Sequence, residues 1–184
     1  MAPLEGKREA IITAAGNLML KHGLRGTSME AIAREARIAK PTLYAYFPDK
    51  DAVFRAVVET LIAGWRQDFL IALHGDGDIV QRVGAALTAK HKAAMRLLEG
   101  SPHADELYGE HDRLTASQFR NFDADLQMSL EGELSKAGVA RARLTAQLLL
   151  AASFGIGHKA TSPAELGPAL RLLSERLIRP ELPT

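Results

Sequence analysis

Between Ala39 and Phe47 the chain sets a lysine, a threonine and two tyrosines at close spacing: Lys40, Thr42, Tyr44 and Tyr46. An ammonium, a hydroxyl and two phenols on one small surface can meet phosphate oxygens and base edges in a DNA major groove. Leu43 and Phe47 are four apart, so on a helix both turn inward and leave the polar groups outward. The same spacing also describes any short helix with a solvated face. What decides between these readings is the set of elements that must hold the surface in place.

Other chemistry-bearing patterns lack such support. Gly155-Ile-Gly157-His-Lys-Ala160 fits G-x-G-x-x-A, with Glu175 downstream. A nucleotide-cofactor oxidoreductase would need a strand before that turn and further parallel strands after it. A helical run precedes it instead, and little chain follows. Ala151, Ala152, Gly155 and Gly157 are better read as a smooth helix face that another helix can approach. Asp76 and Asp78 match the start of a calcium loop, but the twelfth position is Leu87 rather than glutamate, so a solvated turn is expected. The histidines His22, His74, His91, His103, His111 and His158 show no i, i+4 metal spacing. Glu106, Glu110 and Asp112 form a carboxylate cluster without a readable nucleophile, and there is no cysteine. No catalytic residue, cofactor or metal site is assigned.

The elements around Lys40–Tyr46 form a recognisable frame. Thr27-Ser-Met-Glu30 fits a capping box that opens a helix from Ser28 to about Glu35. Ile32, Ala33 and Ala36 give it one apolar face. A second helix is expected from near Ala39 to about Tyr46, with Pro41 in its first turn, where a missing N–H costs nothing. A first helix, about Glu5 to His22, carries Ile11, Ile12, Ala15, Leu18 and Met19 at helical spacing and ends at Gly23.

The run TSMEAIAREARIAKPTLYAYFPDK, Thr27 to Lys50, resembles the DNA-binding segment of the tetracycline-repressor (TetR) family of bacterial regulators. Ile32, Ala33, Ala36, Thr42, Leu43, Tyr44, Tyr46, Phe47 and Lys50 fall in that family's pattern, as do Ile11, Ile12, Ala14, Ala15 and Leu18 upstream, and Ser28 replaces the threonine that opens the family's run, one hydroxyl for another. Two further positions depart from it. Arg37 stands where the family has a turn glycine, which makes a positive φ costlier. Ala39 replaces a serine and cannot cap.

The chain has 184 residues, 47% hydrophobic and only 5% aromatic, and no strand pattern is evident. An all-α fold of about nine helices is expected. The net charge is +1. Residues 1–50 hold eight Lys/Arg against five Asp/Glu, so the positive charge gathers where the helix pair lies. No signal peptide or membrane span is apparent, and a cytoplasmic protein is expected. Asp49 should cap a long helix to about Leu73. Further helices should run from Ile79 to about Glu99, Ala104 to Tyr108, Asp112 to Lys136, and Ala140 to His158. The last should open at a capping box, Ser162-Pro163-Ala-Glu165, and Gly167-Pro168 is expected to kink it or to delay its regular part.

The resemblance implies a helix-turn-helix DNA-binding domain over residues 1–50 and a helical ligand-binding and dimerisation domain over 51–184. It implies a homodimeric regulator, in most cases a repressor, released from a pseudo-palindromic operator by a small ligand. Carried over by position, Thr27, Ser28, Tyr46 and Lys50 should hold phosphates. Arg37, Lys40, Pro41, Thr42 and Tyr44 should face the groove. Lys50, a cation in the first turn of a helix, is electrostatically misplaced, and a nearby phosphate would account for it. Candidate walls of an effector pocket are Trp65, Phe69, Met95, Leu98, Tyr108, Phe119, Phe122, Met128 and Phe154, which suit a hydrophobic or aromatic molecule. A DNA-binding regulator that answers to a protein, or to no ligand, is the alternative.

Overall fold

The computed structural model describes residues 4–104, 106–107 and 113–183. Eight α-helices and no strands occur among them: α1 (Leu4–Gly26), α2 (Met29–Glu35), α3 (Lys40–Tyr46), α4 (Lys50–Leu73), α5 (Ile79–Leu98), α6 (Ala116–Lys136), α7 (Ala142–Lys159) and α8 (Pro163–Ile178), then a 3-10 turn, Arg179–Glu181. No described helix is long and apolar enough to cross a membrane. Of the expected short helix Ala104 to Tyr108, Ala104, Glu106 and Leu107 are helical; its other residues, and the expected start of the next helix at Asp112, lie outside the described residues. The backbone turns at Thr115 before α6 begins.

Two compact units form, one from residues 1–62 with 100–118, the other from 63–99 with 119–184. The expected division at residue 50 is therefore not where the packing divides. The first half of α4 and the segment 100–118 belong with the N-terminal helices.

The first unit is organised by short helices that bury one face each. Ile11, Ala15 and Met19 of α1, Ile32 of α2, Leu43 of α3 and Val53 of α4 are all buried. Gly23 breaks α1 with φ +75°, as its sequence position suggests, and the last residues of α1 follow as a separate turn.

In the second unit, α8 packs along α5 and α7. α5 and α8 approach closely at Gly84, where a Cβ would lie 3.3 Å from the Arg171 Cα. Phe69, Leu87, Phe122, Leu126, Leu130, Leu149 and Leu170 fill the core. α5 opens with a full capping box between Asp78 and Gln81. Asp78 is thus a helix cap, not merely part of a solvated turn. At the start of α8 the expected box is displaced by one residue. The Ser162 side chain makes no cap bond, and Glu165 instead accepts from the Thr161 N–H and hydroxyl. α8 runs on through Pro168 to Ile178.

Two polar groups inside this unit had no sequence signal. Glu133, almost fully buried, accepts from Arg82 at 2.9 Å and Lys136 at 2.8 Å, and these cations hold its carboxyl below the usual range. Arg82 also donates to the Leu73 carbonyl, closing the end of α4. His91 has Nε2 3.1 Å from the Ser153 hydroxyl, which itself donates to the Leu150 carbonyl and therefore accepts from the ring. A Cβ on Gly157 would lie 2.4 Å from the other ring nitrogen.

Burial, followed by the neighbouring Lys90 ammonium, pushes His91 down to about 4, against an opposing pull from Asp123. In the unfolded chain the ring should titrate near its ordinary 6.5. Between these values the unfolded state binds more protons, so this contribution grows as pH rises and is lost on acidification. Urea unfolding across the window should show stability falling toward the acid side. His91→Gln should remove up to about 1.4 kcal/mol per pH unit of that slope. An unchanged slope would show that His91 binds its proton equally in the folded and unfolded states, so that folding does not depress it.

Candidate nucleic-acid interface

α2 and α3 are joined by a turn that sets their angle. The Ile38 N–H donates to the Ala33 carbonyl at 3.0 Å and the Arg37 N–H to the Arg34 carbonyl at 3.2 Å. This is a helix-ending motif that needs a left-handed residue. Arg37 supplies it with φ +56°, the one non-glycine with positive φ among the described residues. The cost foreseen for arginine at a glycine position is accepted here, and its side chain is exposed.

α3 is short and anchored from below. Leu43 is fully buried and Phe47 nearly so. Ala39 makes no side-chain cap, and Pro41 occupies the first turn. On the opposite face Lys40, Pro41 and Tyr44 are exposed, the last to 44%, while Thr42 and Tyr46 are half-buried. The Lys40 ammonium pairs with the Glu30 carboxylate of α2 and lies 5.9 Å from the centre of the Tyr44 ring. The hydrogen bond from Lys40 holds Glu30 below the usual carboxylate range, and Glu30 holds Lys40 above its own.

Three residues expected on phosphates are placed differently from one another. Ser28 is exposed and is the α2 N-cap, accepting from the Ala31 N–H at 3.1 Å. The cap is therefore one residue later than the expected box from Thr27 to Glu30. Thr27 is only 2% exposed, and its hydroxyl donates to the Gly23 carbonyl at 2.7 Å. Its side chain is turned away from solvent, which corrects its assignment as a phosphate ligand. The Lys50 ammonium is half-buried and donates to the carbonyls of Leu24 at 2.6 Å and Thr27 at 2.8 Å. Those acceptors, rather than a phosphate, explain a lysine in the first turn of α4. Asp49 caps that helix as expected, accepting from the Ala52 N–H.

The corner between α1 and α2 is also held by Ser101 and Glu106, which sequence reasoning did not connect to it. Ser101 donates to the Leu20 carbonyl, and Glu106 accepts from the Arg25 N–H at 2.8 Å. His103 lies 3.5 Å from the other oxygen of Glu106. Glu106 thus serves as a backbone acceptor.

In the second unit the expected effector wall is only partly assembled. Trp65 and Phe119 are half-buried with ring centres 6.3 Å apart, and Met95 is half-buried. Phe69 and Phe122 are core. Met128 and Phe154 are 64% and 66% exposed, so neither lines an interior wall, which corrects their assignment. Phe154 stacks on His158 instead. Tyr108 and the Leu98 side chain lie outside the described residues. Two open grooves, about 410 and 270 Å³, lie elsewhere, along α4 from Ala63 to His74 and between Arg141 and Glu181. No group of three or more histidine or carboxylate side chains suited to a metal occurs among the described residues.

Residues 11–57 match the family model for bacterial regulatory proteins, tetR family. Over 73 residues the chain is 34% identical to the HTH-type transcriptional regulator RutR of Escherichia coli K12, covering 36% of this chain and 34% of that protein. Over 120 residues it is 30% identical to the HTH-type transcriptional activator FasR of Mycolicibacterium smegmatis, covering 63% of this chain and 51% of that one. The matches thus span a third to a half of these relatives' length. In fold the chain is similar to SmeT in its complex with triclosan, with a TM-score of 0.70 over 97% of this chain and 92% of that one at 19% identity.

Proposed function

We propose that this chain, which belongs to the tetR family of bacterial regulatory proteins, is a cytoplasmic DNA-binding repressor. It acts as a homodimer on a pseudo-palindromic operator and is released by a small hydrophobic or aromatic effector. The observation that carries the reading is α3 itself. Its buried side is locked by Leu43 and Phe47, and its exposed side offers Lys40, Pro41 and Tyr44 with Thr42 beside them. Arg37 extends that surface at the turn. Ser28 and Tyr46 are assigned to phosphates. Two copies related by a two-fold axis would set their α3 helices about 34–36 Å apart, or a multiple of that.

Repression needs only occupancy and release, and no further surface. FasR is described as an activator, so transcription in vitro from a promoter carrying the bound fragment fixes the sign. For release, the effector must favour the DNA-incompetent arrangement by about 5.5 kcal/mol to turn 1:99 into 99:1. The half-buried Trp65, Phe119 and Met95 are the surface on which an apolar effector would gain most. SmeT, one of the fold neighbours, is likewise seen with a small molecule, triclosan. α4, with residues in both units, is proposed to carry the difference to α3.

A mobility-shift series against genomic fragments, with and without apolar compounds, tests the reading. Tyr44→Ala and Thr42→Ala should each cost about 1–3 kcal/mol at the preferred fragment and little on others. A compound that releases the fragment should lose its effect in Trp65→Ala. If no fragment binds at low salt, or if Lys40, Thr42 and Tyr44 are all replaceable without effect, DNA is not the partner.

A further inference from the structure

We infer that Glu30 is a positioning residue for Lys40, and that this pairing restrains the recognition surface from holding duplex DNA of arbitrary sequence. The inference rests on the DNA-binding reading above and concerns how that site discriminates. Glu30 belongs to the first turn of α2 and Lys40 to the first residue of α3, and their side chains meet across the turn. Both are about half-exposed, on the face where a duplex would approach.

Both charges sit at helix N-termini. A carboxylate at a helix N-terminus is favoured, and an ammonium there is disfavoured. Ala39 offers α3 no side-chain cap that would offset this. Glu30 therefore supplies the counter-charge that Lys40 lacks on its own helix. It also fixes direction, because the ammonium is drawn toward α2 while remaining over the Tyr44 ring.

An ammonium has three donors, so one bond to Glu30 leaves two for a partner. Base acceptors at a matched site can use those two without breaking the pair. A phosphate on an unmatched duplex can also accept from those donors, but it brings a full negative charge up to the Glu30 carboxylate. To take Lys40 fully it must displace Glu30, whose own charge repels it. Glu30 thus weakens the sequence-independent part of binding more than the sequence-dependent part.

The test uses the full chain, a short random-sequence duplex, and a fragment that the wild type selects from a random pool. Glu30→Gln should bind the random duplex about two- to five-fold more tightly at low salt, the range of an exposed ion pair. The log–log salt slope should steepen by about 0.9, one further phosphate contact. Affinity for the selected fragment should rise less, so the preference narrows. Glu30→Asp, which keeps the charge, should return the slope toward the wild-type value. In a Lys40→Ala background, Glu30→Gln should no longer change the slope, and circular dichroism melts report that each variant is folded. A wild-type slope in Glu30→Gln, or a change that persists undiminished without Lys40, overturns the inference alone. A wild type that binds neither duplex overturns it together with the DNA-binding reading.

Discussion

Leu148→Arg is expected to give a folded monomer whose affinity for a two-half-site fragment is about 10²–10⁴-fold lower, because the proposed two-fold linkage of two α3 helices is lost. α7 carries two apolar stripes. Ala142, Thr145, Ala146, Leu149 and Ser153 turn into the unit and are buried. Leu144 and Leu148 are each 46% exposed, and Ala151, Ala152 and Gly155 continue the second stripe outward. Leu172 of α8 is exposed as well. A helix apolar on both sides calls for a second cover, and four such helices from two copies can bury one another. Leu148 contributes little to its own unit's core, so thermal unfolding of the monomer should change little. Gly155→Leu makes a sharper control. Nothing lies within 4 Å of a Cβ there in the single chain, and leucine favours a helix over glycine by about 1 kcal/mol. It should therefore leave the protomer sound and clash only at a close crossing with a partner. Light scattering that shows wild type already monomeric at micromolar concentration, or Leu148→Arg still dimeric, would remove this interface.

The exposed face of α3 was legible because its signal is local. The spacing of Leu43 and Phe47 fixes which side of α3 is buried, and that leaves Lys40 and Tyr44 outward whatever else the chain does. Roles that depend on a distant backbone atom were not legible. Helical spacing places Lys50 at the start of α4 but says nothing of the Leu24 and Thr27 carbonyls, set there by the positive φ of Gly23. The same holds for Glu106, whose partner is the Arg25 N–H, far away in sequence. Thr27 and Ser28 are both able to cap, and only the backbone path decides that Ser28 does so. For Phe154 and Met128 the failure is of another kind. Periodicity shows that a face is apolar, yet it does not show whether that face meets its own chain or solvent.

Lys50→Met should separate those two kinds of information most clearly. If Lys50 worked mainly as a phosphate contact, its loss would lower the salt slope by about 0.9 and leave the melting temperature alone. Its geometry predicts the reverse. The ammonium donates to two carbonyls at the α1–α2 corner, half-buried, beside the Thr27 hydroxyl bonded to Gly23. Hydrogen bonds from a charged donor contribute about 1.5–3 kcal/mol each, while the Leu24 carbonyl keeps a second donor, the Thr27 N–H at 3.4 Å. Methionine keeps the length and removes every donor. A loss of about 3 kcal/mol is expected, equivalent to roughly 6–12 °C in melting temperature for a chain of this size. Because α2 and α3 hang from that corner, DNA affinity should fall for matched and unmatched duplexes alike, with the salt slope retained by whatever fraction stays folded. Lys50→Arg keeps the charge and the donors but not the compact head, so it should recover part of the stability. A Lys50→Met protein that melts as wild type does while its salt slope drops by one contact would return this residue to the DNA backbone and make its two carbonyl bonds incidental.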